Sequence, residues 1–285
     1  MVTLEEQSIT SLEFDKIKNI LSNFARLHQS QQLCFDLTVS NNIEEIKKNL
    51  QYTKEAKAIL DNAKDIPVEF ITPIEEFSKD KLTSYLKETE LMEAAKSLRT
   101  ARLIKNFIKE NADNTLLKAL SDKIITNKEL EDEIFAIIDE DNNVKPSASS
   151  VLSKLCESLK TYESDIKAKI SDLLANPQFT VHLQEQIYTL RDNRIVFPVM
   201  ANSKRKVSGI THDYSATNKT VYVEPSSLIP LNNKIRESKA RINEEIIKIL
   251  KDLTKKVRNH GIEALEKNEK LLAEIDFHFA NQDML

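Results

Sequence analysis

Residues 188–233 read YTLRDNRIVFPVMANSKRKVSGITHDYSATNKTVYVEPSSLIPLNN. Here the apolar residues alternate in short β-branched runs bounded by turn formers, the pattern of half-buried strands. The stretch also holds Gly209, one of the two glycines of the chain. The alternation predicts four strands, at Gln186–Leu190, Arg194–Met200, Lys206–Thr211 and Lys219–Glu224, joined by the links RDN, ANSKR and HDYSATN. Short links between successive strands predict an antiparallel meander. Pro198 lacks an N–H to donate, so the second strand is expected at an edge or bulged there. Pro225 should end the last strand, with Ser226 or Ser227 capping the helix that follows.

The links are basic. Arg191 and Arg194 flank the first, Lys204, Arg205 and Lys206 occupy the second, and Lys219 precedes the last strand, with Asp192 and Asp213 as nearby counterweights. Protruding Lys/Arg clusters suit phosphate contacts, which give salt-dependent affinity without sequence choice. Basic turns also guard sheet edges against aggregation, and charge alone does not choose between the two. His212, Asp213, Ser215 and Glu224 have residue types used by hydrolases, but a triad must converge in space, and His212–Asp213 and Ser215 read as turn chemistry. The five histidines show no metal-ligand spacing and read as surface or partly buried residues.

Outward from this module the chain is charged helix. With 30% charged residues, 6% aromatic, no Trp and two Gly in 285 residues, the composition disfavours a sheet-rich fold. Leu12, Phe14, Ile17, Leu21 and Phe24 recur at helical spacing with Ser11 as N-cap, and Asn41 or Asn42 caps the next run. Pro67 and Pro73 bound VEFIT, a strand or a loop. Helical spacing returns over 80–109 and, in shorter pieces, over 116–138. After the polar loop 139–150, Leu152, Leu155, Leu159, Tyr162, Ile166, Ile170 and Leu173 form a coiled-coil-like seam that ends at Asn176–Pro177. The same spacing resumes from Leu228 to Phe279, so the two seams are natural partners. If continuous, the second run is about 75 Å long. Gly261 on it either permits close helix approach or marks a break.

Several function classes are excluded. A P-loop or a dinucleotide loop needs clustered glycines, and Gly209 and Gly261 stand far apart. Cys34 and Cys156 match no metal or redox spacing and read as reduced thiols. No apolar run reaches the length of a membrane span, and the acidic start is unlike a signal peptide, so a soluble, cytoplasmic protein with no membrane partner is expected. The net charge of −4 argues against a protein coated by nucleic acid, though not against a local basic patch.

The run RDNRIVFPVM, then SGITHDYSATNKT, then EP and LNN, resembles the signature of the bacterial MutS paralogue family MutS-two: R-x-x-R-x-V-x-P-V-K, G-I-V-H-D-x-S-x-[ST]-G-x-T, E-P and L-N-N. LEFDKI at 12–17, YTKEAKAIL at 52–60 and IDEDNNVKPSASSVL at 138–152 are similar to that family's N-terminal half. LLAEIDFHFA at 271–280 looks like the helix leaving the core domain of MutS proteins. Three positions depart from the pattern. Asn218 replaces a glycine, and Asn tolerates the left-handed backbone. Met200 replaces a lysine, removing one possible contact, and Pro146 lies in a loop where the family has glycine and aspartate.

The resemblance implies a mainly α fold: an elongated helical bundle, the core or lever, with long antiparallel helical arms carrying a small antiparallel β clamp. The divisions expected are 1–138 for the lever bundle, 139–178 for the linker and outgoing arm, 179–229 for the clamp, and 230–285 for the return helix. It implies a non-catalytic region that grips branched or duplex DNA through Arg191, Arg194, Lys204, Arg205, Lys206 and Lys219. The family is associated with DNA repair, recombination control and, in some members, stalled ribosomes, so ribosomal RNA is the alternative polyanion. A purely structural coiled-coil module setting homodimer geometry is a third reading. No cofactor is expected on this chain: ATP and Mg belong to the ATPase that follows the lever in the family, and cleavage to a small-MutS-related nuclease domain.

Overall fold

A computed structural model of the chain describes residues 12–62, 65–68, 71–73, 85–112 and 115–282. These are mainly helical, with one four-stranded antiparallel sheet. The chain divides into two compact units, Met1–Lys145 with Leu250–Leu285, and Pro146–Ile249.

The first unit contains α1 (Phe14–Phe24), α2 (His28–Phe35), α3 (Ile43–Asn62), α4 (Glu88–Asn111), α5 (Leu116–Ser121), α6 (Lys128–Ile137) and α10 (Ile262–Gln282). The stripe expected in α1 is not buried as a whole: Leu21 is buried, whereas Leu12, Ile17 and Phe24 are exposed. Ala56 and Ile59 of α3, Ala101, Ile104 and Ile108 of α4, Leu117 and Leu120 of α5, and Leu272, Ile275 and Phe279 of α10 share one core. Asn42 caps α3, its Oδ1 accepting from the amides of Glu44 and Glu45 at 3.1 and 3.3 Å. The expected cap Ser11, the helical turns over 80–84, and the middle of VEFIT lie outside the described residues.

Side chains on neighbouring helices satisfy backbone groups at helix starts and in loops. The Asp276 carboxylate on α10 accepts from the amides of Arg26 and Leu27, both at 2.9 Å, where the chain enters α2. Glu55 accepts from Leu117 N at 2.9 Å at the start of α5. Asn268 pairs with the backbone of Ile125 in both senses, accepting from its N–H at 2.9 Å and donating to its carbonyl at 2.7 Å. The bond to Leu117 meets the demand of a helix-start amide, which has no intrahelical acceptor, and the others satisfy backbone groups of the connecting segments.

The long C-terminal helical run resolves the question posed by Gly261. The helix α9 (Ile229–Lys256) passes into a π-helical turn, Val257–Gly261, and then into α10. A Cβ at Gly261 would stand 3.0 Å from Leu130 Cδ2 of α6. The glycine thus both marks an irregular turn, an inserted residue in the α-helical ladder, and permits a close approach.

His278 on α10 is more deeply buried than its sequence suggests, with 3% of its surface exposed. It stacks on Tyr52 at 4.2 Å, and its Nδ1 has no hydrogen-bond partner among the described residues. Burial, reinforced by the nearby Lys48 ammonium, pushes its pKa down to about 4 from an ordinary 6.5. The unfolded chain therefore takes up this proton first as pH falls. The stabilising contribution is complete above pH 6.5 and is lost as pH falls towards 4, by about 2–3 kcal/mol. Denaturant titrations at pH 7.5 and 4.5 should show a larger acid loss for the natural protein than for His278→Phe. Equal losses would refute the assignment.

Candidate nucleic-acid interface

The second unit is built on two helices and the sheet. The first helix, α7 (Ser150–Ala175), begins at Ser149, whose hydroxyl accepts from Leu152 N at 3.0 Å. It ends at Asn176, where Pro177 opens the short α8 (Pro177–Thr180). Ser149 donates to Glu245 at 2.8 Å, Glu163 meets Lys239 at 3.5 Å, and Ile166 and Ile170 share a core with Ile235 of α9. Position increases along α7 as it decreases along α9, so the two helices run antiparallel.

The strands are β1 (Thr189–Arg191), β2 (Arg194–Met200), β3 (Gly209–Tyr214) and β4 (Thr220–Pro225). Asp192 and Asn193 both take positive φ, 50° and 59°, which closes the β1–β2 hairpin as a two-residue turn of the type that matches strand twist. Asn218, at φ 54°, holds the turn before β4, and its amide donates to Ser215 O at 2.8 Å. The family glycine is thus replaced without loss of the turn.

The sheet is not a meander. Its order is β1-β2-β4-β3, so β4 lies between β2 and β3. The link Ala201–Lys206 is not a hairpin turn but a 3-10 helix. It lets the chain bypass the β4 position before β3 starts. Pro198 consequently lies in an inner strand. The proline is tolerated because its carbonyl and the Met200 amide face residues 182–184, accepting from Gln184 N at 2.8 Å and donating to His182 O at 2.9 Å. The missing N–H therefore falls outside the β4 ladder. Gly209 is required where β3 enters the sheet, since a Cβ there would sit 2.1 Å from the carbonyl oxygen of Glu224.

Within this unit the six candidate cations separate into two kinds. Arg194 faces inward: its side chain is 13% exposed, and Nη1 donates to Glu224 Oε1 at 2.7 Å. Nη2 donates to Asn233 Oδ1. Glu224 has no exposed side-chain surface. It also accepts from Asn232 Nδ2 at 2.8 Å, and its second oxygen lies 2.6 Å from His212 Nε2. His212 is the extra residue of a bulge, because the β3–β4 register shifts between Thr211 and Asp213. Asn232 completes the set by pairing with both backbone groups of Ile195 at 3.2 Å. The reading of His212 as turn chemistry is therefore corrected. Glu224 lies thirty, twelve and eight positions from its partners Arg194, His212 and Asn232, too far for a local signal to join them; residue type singled out His212 and Glu224, and the motif letters R, H, E and N-N marked the set.

The other cations face outward. Arg191 lies over the Tyr222 ring at 4.0 Å and meets Asp213 at 3.2 Å. Lys204 donates to the Tyr214 hydroxyl at 2.7 Å. Arg205 and Lys206 complete the same 3-10 helix, and Ala201 N donates to Lys219 O at 3.0 Å, which brings Lys219 alongside its start. Of the three acidic residues in 188–233, Glu224 is engaged by Arg194 and Asp213 by Arg191, and Asp192 lies in the β1–β2 turn. Among the described residues, no carboxylate pairs with Lys204, Arg205, Lys206 or Lys219. The result is an exposed basic ridge on a small sheet.

Fold and site define a helical protein carrying a small antiparallel sheet with a basic connector. No family model matches the chain. It is 34% identical over 281 residues to a protein named Endonuclease MutS2 from Clostridium beijerinckii, covering 97% of this chain and 35% of that protein. Proteins of the same name from Clostridium kluyveri and Clostridium botulinum are 29% and 33% identical over the same share of each chain. The chain is thus a relative of the MutS2 proteins along nearly its whole length, and it spans about a third of theirs. Among the described residues no helix is long and apolar enough to cross a membrane.

Removing the central carboxylate should show which cations are structural. Glu224→Ala leaves the Arg194 guanidinium buried without its anion, at an expected cost of about 3–5 kcal/mol. Lys204→Ala removes an exposed contact and should stay within about 0.5 kcal/mol. Chemical denaturation measures both. A Glu224→Ala cost no larger than that of Lys204→Ala would overturn the division.

Proposed function

We propose that this chain is the non-catalytic lever and clamp region of a MutS2-like protein, and that its sheet module grips duplex or branched DNA. The observation that carries this reading is the ridge of Lys204, Arg205, Lys206 and Lys219, four cations with no carboxylate partner among the described residues. Phosphate contacts require charges of this kind, since a cation already paired must first break its own bond. Arg191 supports the ridge from the sheet face, partly neutralised by Asp213. Arg194 serves instead as a positioning residue, holding β2 to β4 and to the start of α9 through Glu224 and Asn233.

In this reading the second unit is the clamp with the helices that carry it, and the first is the lever. The chain contributes binding and leverage, and the ATP chemistry belongs to a domain outside these residues. The name of the relatives, endonuclease, belongs to their whole length, of which this chain spans about a third. A contact surface without sequence choice suits a target recognised by shape, where backbone phosphates set the register.

Binding to a four-way-junction DNA should fall steeply with salt. Four phosphate contacts give a slope of log K against log salt of about −3.5. Lys219→Gln should shallow that slope by about 1. Reversing Lys204, Arg205 and Lys206 together to Glu should abolish binding. An affinity indifferent to ionic strength, or one that survives the triple reversal, would sink the reading.

A further inference from the structure

Beside the basic ridge lies a cavity of about 310 Å³, bounded by the end of α7, by α8, by the end of the 3-10 helix and by the start of α9. Its polar lining is rich in donors: Lys206, His182, Ser208, Ser226 and Ser227 all border it, and no carboxylate does. Ser226 does not cap α9. Its hydroxyl instead lies 2.9 Å from that of Ser208. A hydroxyl pair uses only one of its two protons internally, so the other remains free to donate. The cavity also adjoins the N-terminal end of α9, a helix of 28 residues whose dipole favours negative charge there. Leu173, Phe179 and Val207 contribute apolar carbon to the lining.

We infer that this cavity is a binding site for a single phosphorylated nucleotide, its phosphate among Lys206, His182 and the serine hydroxyls and its sugar or base against Leu173, Phe179 and Val207. The inference rests on the clamp reading and extends it, because Lys206 belongs to both the ridge and the cavity. The volume lies at the small end of ligand sites, which suits one nucleotide. A lining that mixes donors with apolar carbon matches the two ends of a nucleotide better than it matches inorganic phosphate. Two sources share this chemistry: an unpaired nucleotide of a DNA strand, and a free nucleoside monophosphate.

The test uses the 285-residue chain, with amide NMR shifts as the readout and adenosine 5′-monophosphate as the probe. Saturable shifts are expected around 176–182, 206–208 and 226–228, at least about fivefold weaker with adenosine. Ser227 is exposed, so Ser227→Glu should fold normally, as circular dichroism melting checks, and should weaken the monophosphate about tenfold by placing a carboxylate in the cavity. Lys219→Gln should leave monophosphate binding unchanged. Gapped DNA tells the sources apart: weakening of gapped but not blunt duplex binding by Ser227→Glu supports a strand nucleotide, and unchanged gapped binding supports the free one. No saturation by about 10 mM monophosphate, or saturation indifferent to Ser227→Glu, overturns the inference. Salt-dependent duplex binding that persists in that case leaves the clamp reading standing, whereas loss of both removes both.

Discussion

A carboxylate with no exposed surface must be neutralised and hydrogen-bonded on both oxygens, and the attachment of the sheet to its helix depends on Glu224 meeting that demand. Arg194 and Asn232 approach one oxygen and His212 the other. The partners come from β2, β3 and the start of α9, so one side chain on β4 ties three elements together. Slipping β4 by one residue would turn Glu224 to the opposite face and leave Arg194 buried alone, which makes the register expensive to lose.

The first unit solves a related problem with neutral and acidic side chains. Asn268 meets both backbone groups of Ile125 just as Asn232 meets both of Ile195. Asp276 and Glu55 supply acceptors at the starts of α2 and α5. With only two glycines in 285 residues, the chain has little access to left-handed glycine turns, and Asn takes that conformation at 142, 193 and 218. Burial of Asp276 raises its pKa despite two amide donors, so desolvation outweighs the bonds it makes.

Helix positions were legible because the 3.6-residue spacing is local: the seam from Leu152 to Leu173 is α7, and Asn176–Pro177 ends it. Strand existence was legible for the same reason. Strand order was not, since a meander and the observed order share the same alternation, and the difference lies in a 3-10 helix that reads like a polar turn. The candidate cations were legible as a group, yet their orientations were not. Arg194 and Lys204 both lie at turns in the sequence, and only the distant Glu224 and Asn233, thirty and thirty-nine residues beyond Arg194, turn the arginine inward.

That sorting of charge explains how an acidic chain can present a basic surface. The net charge of −4 is spread over 285 residues, and beyond about 10 Å at moderate salt an exposed charge is largely screened. What a phosphate meets is therefore the local set. Within 188–233, Arg194 absorbs Glu224 and Arg191 absorbs Asp213, so each internal pair removes an anion that would otherwise oppose the ridge. The arginine that makes no outward contact thus serves the surface twice. It fixes the strand that leads into the basic connector, and it silences the carboxylate nearest to it.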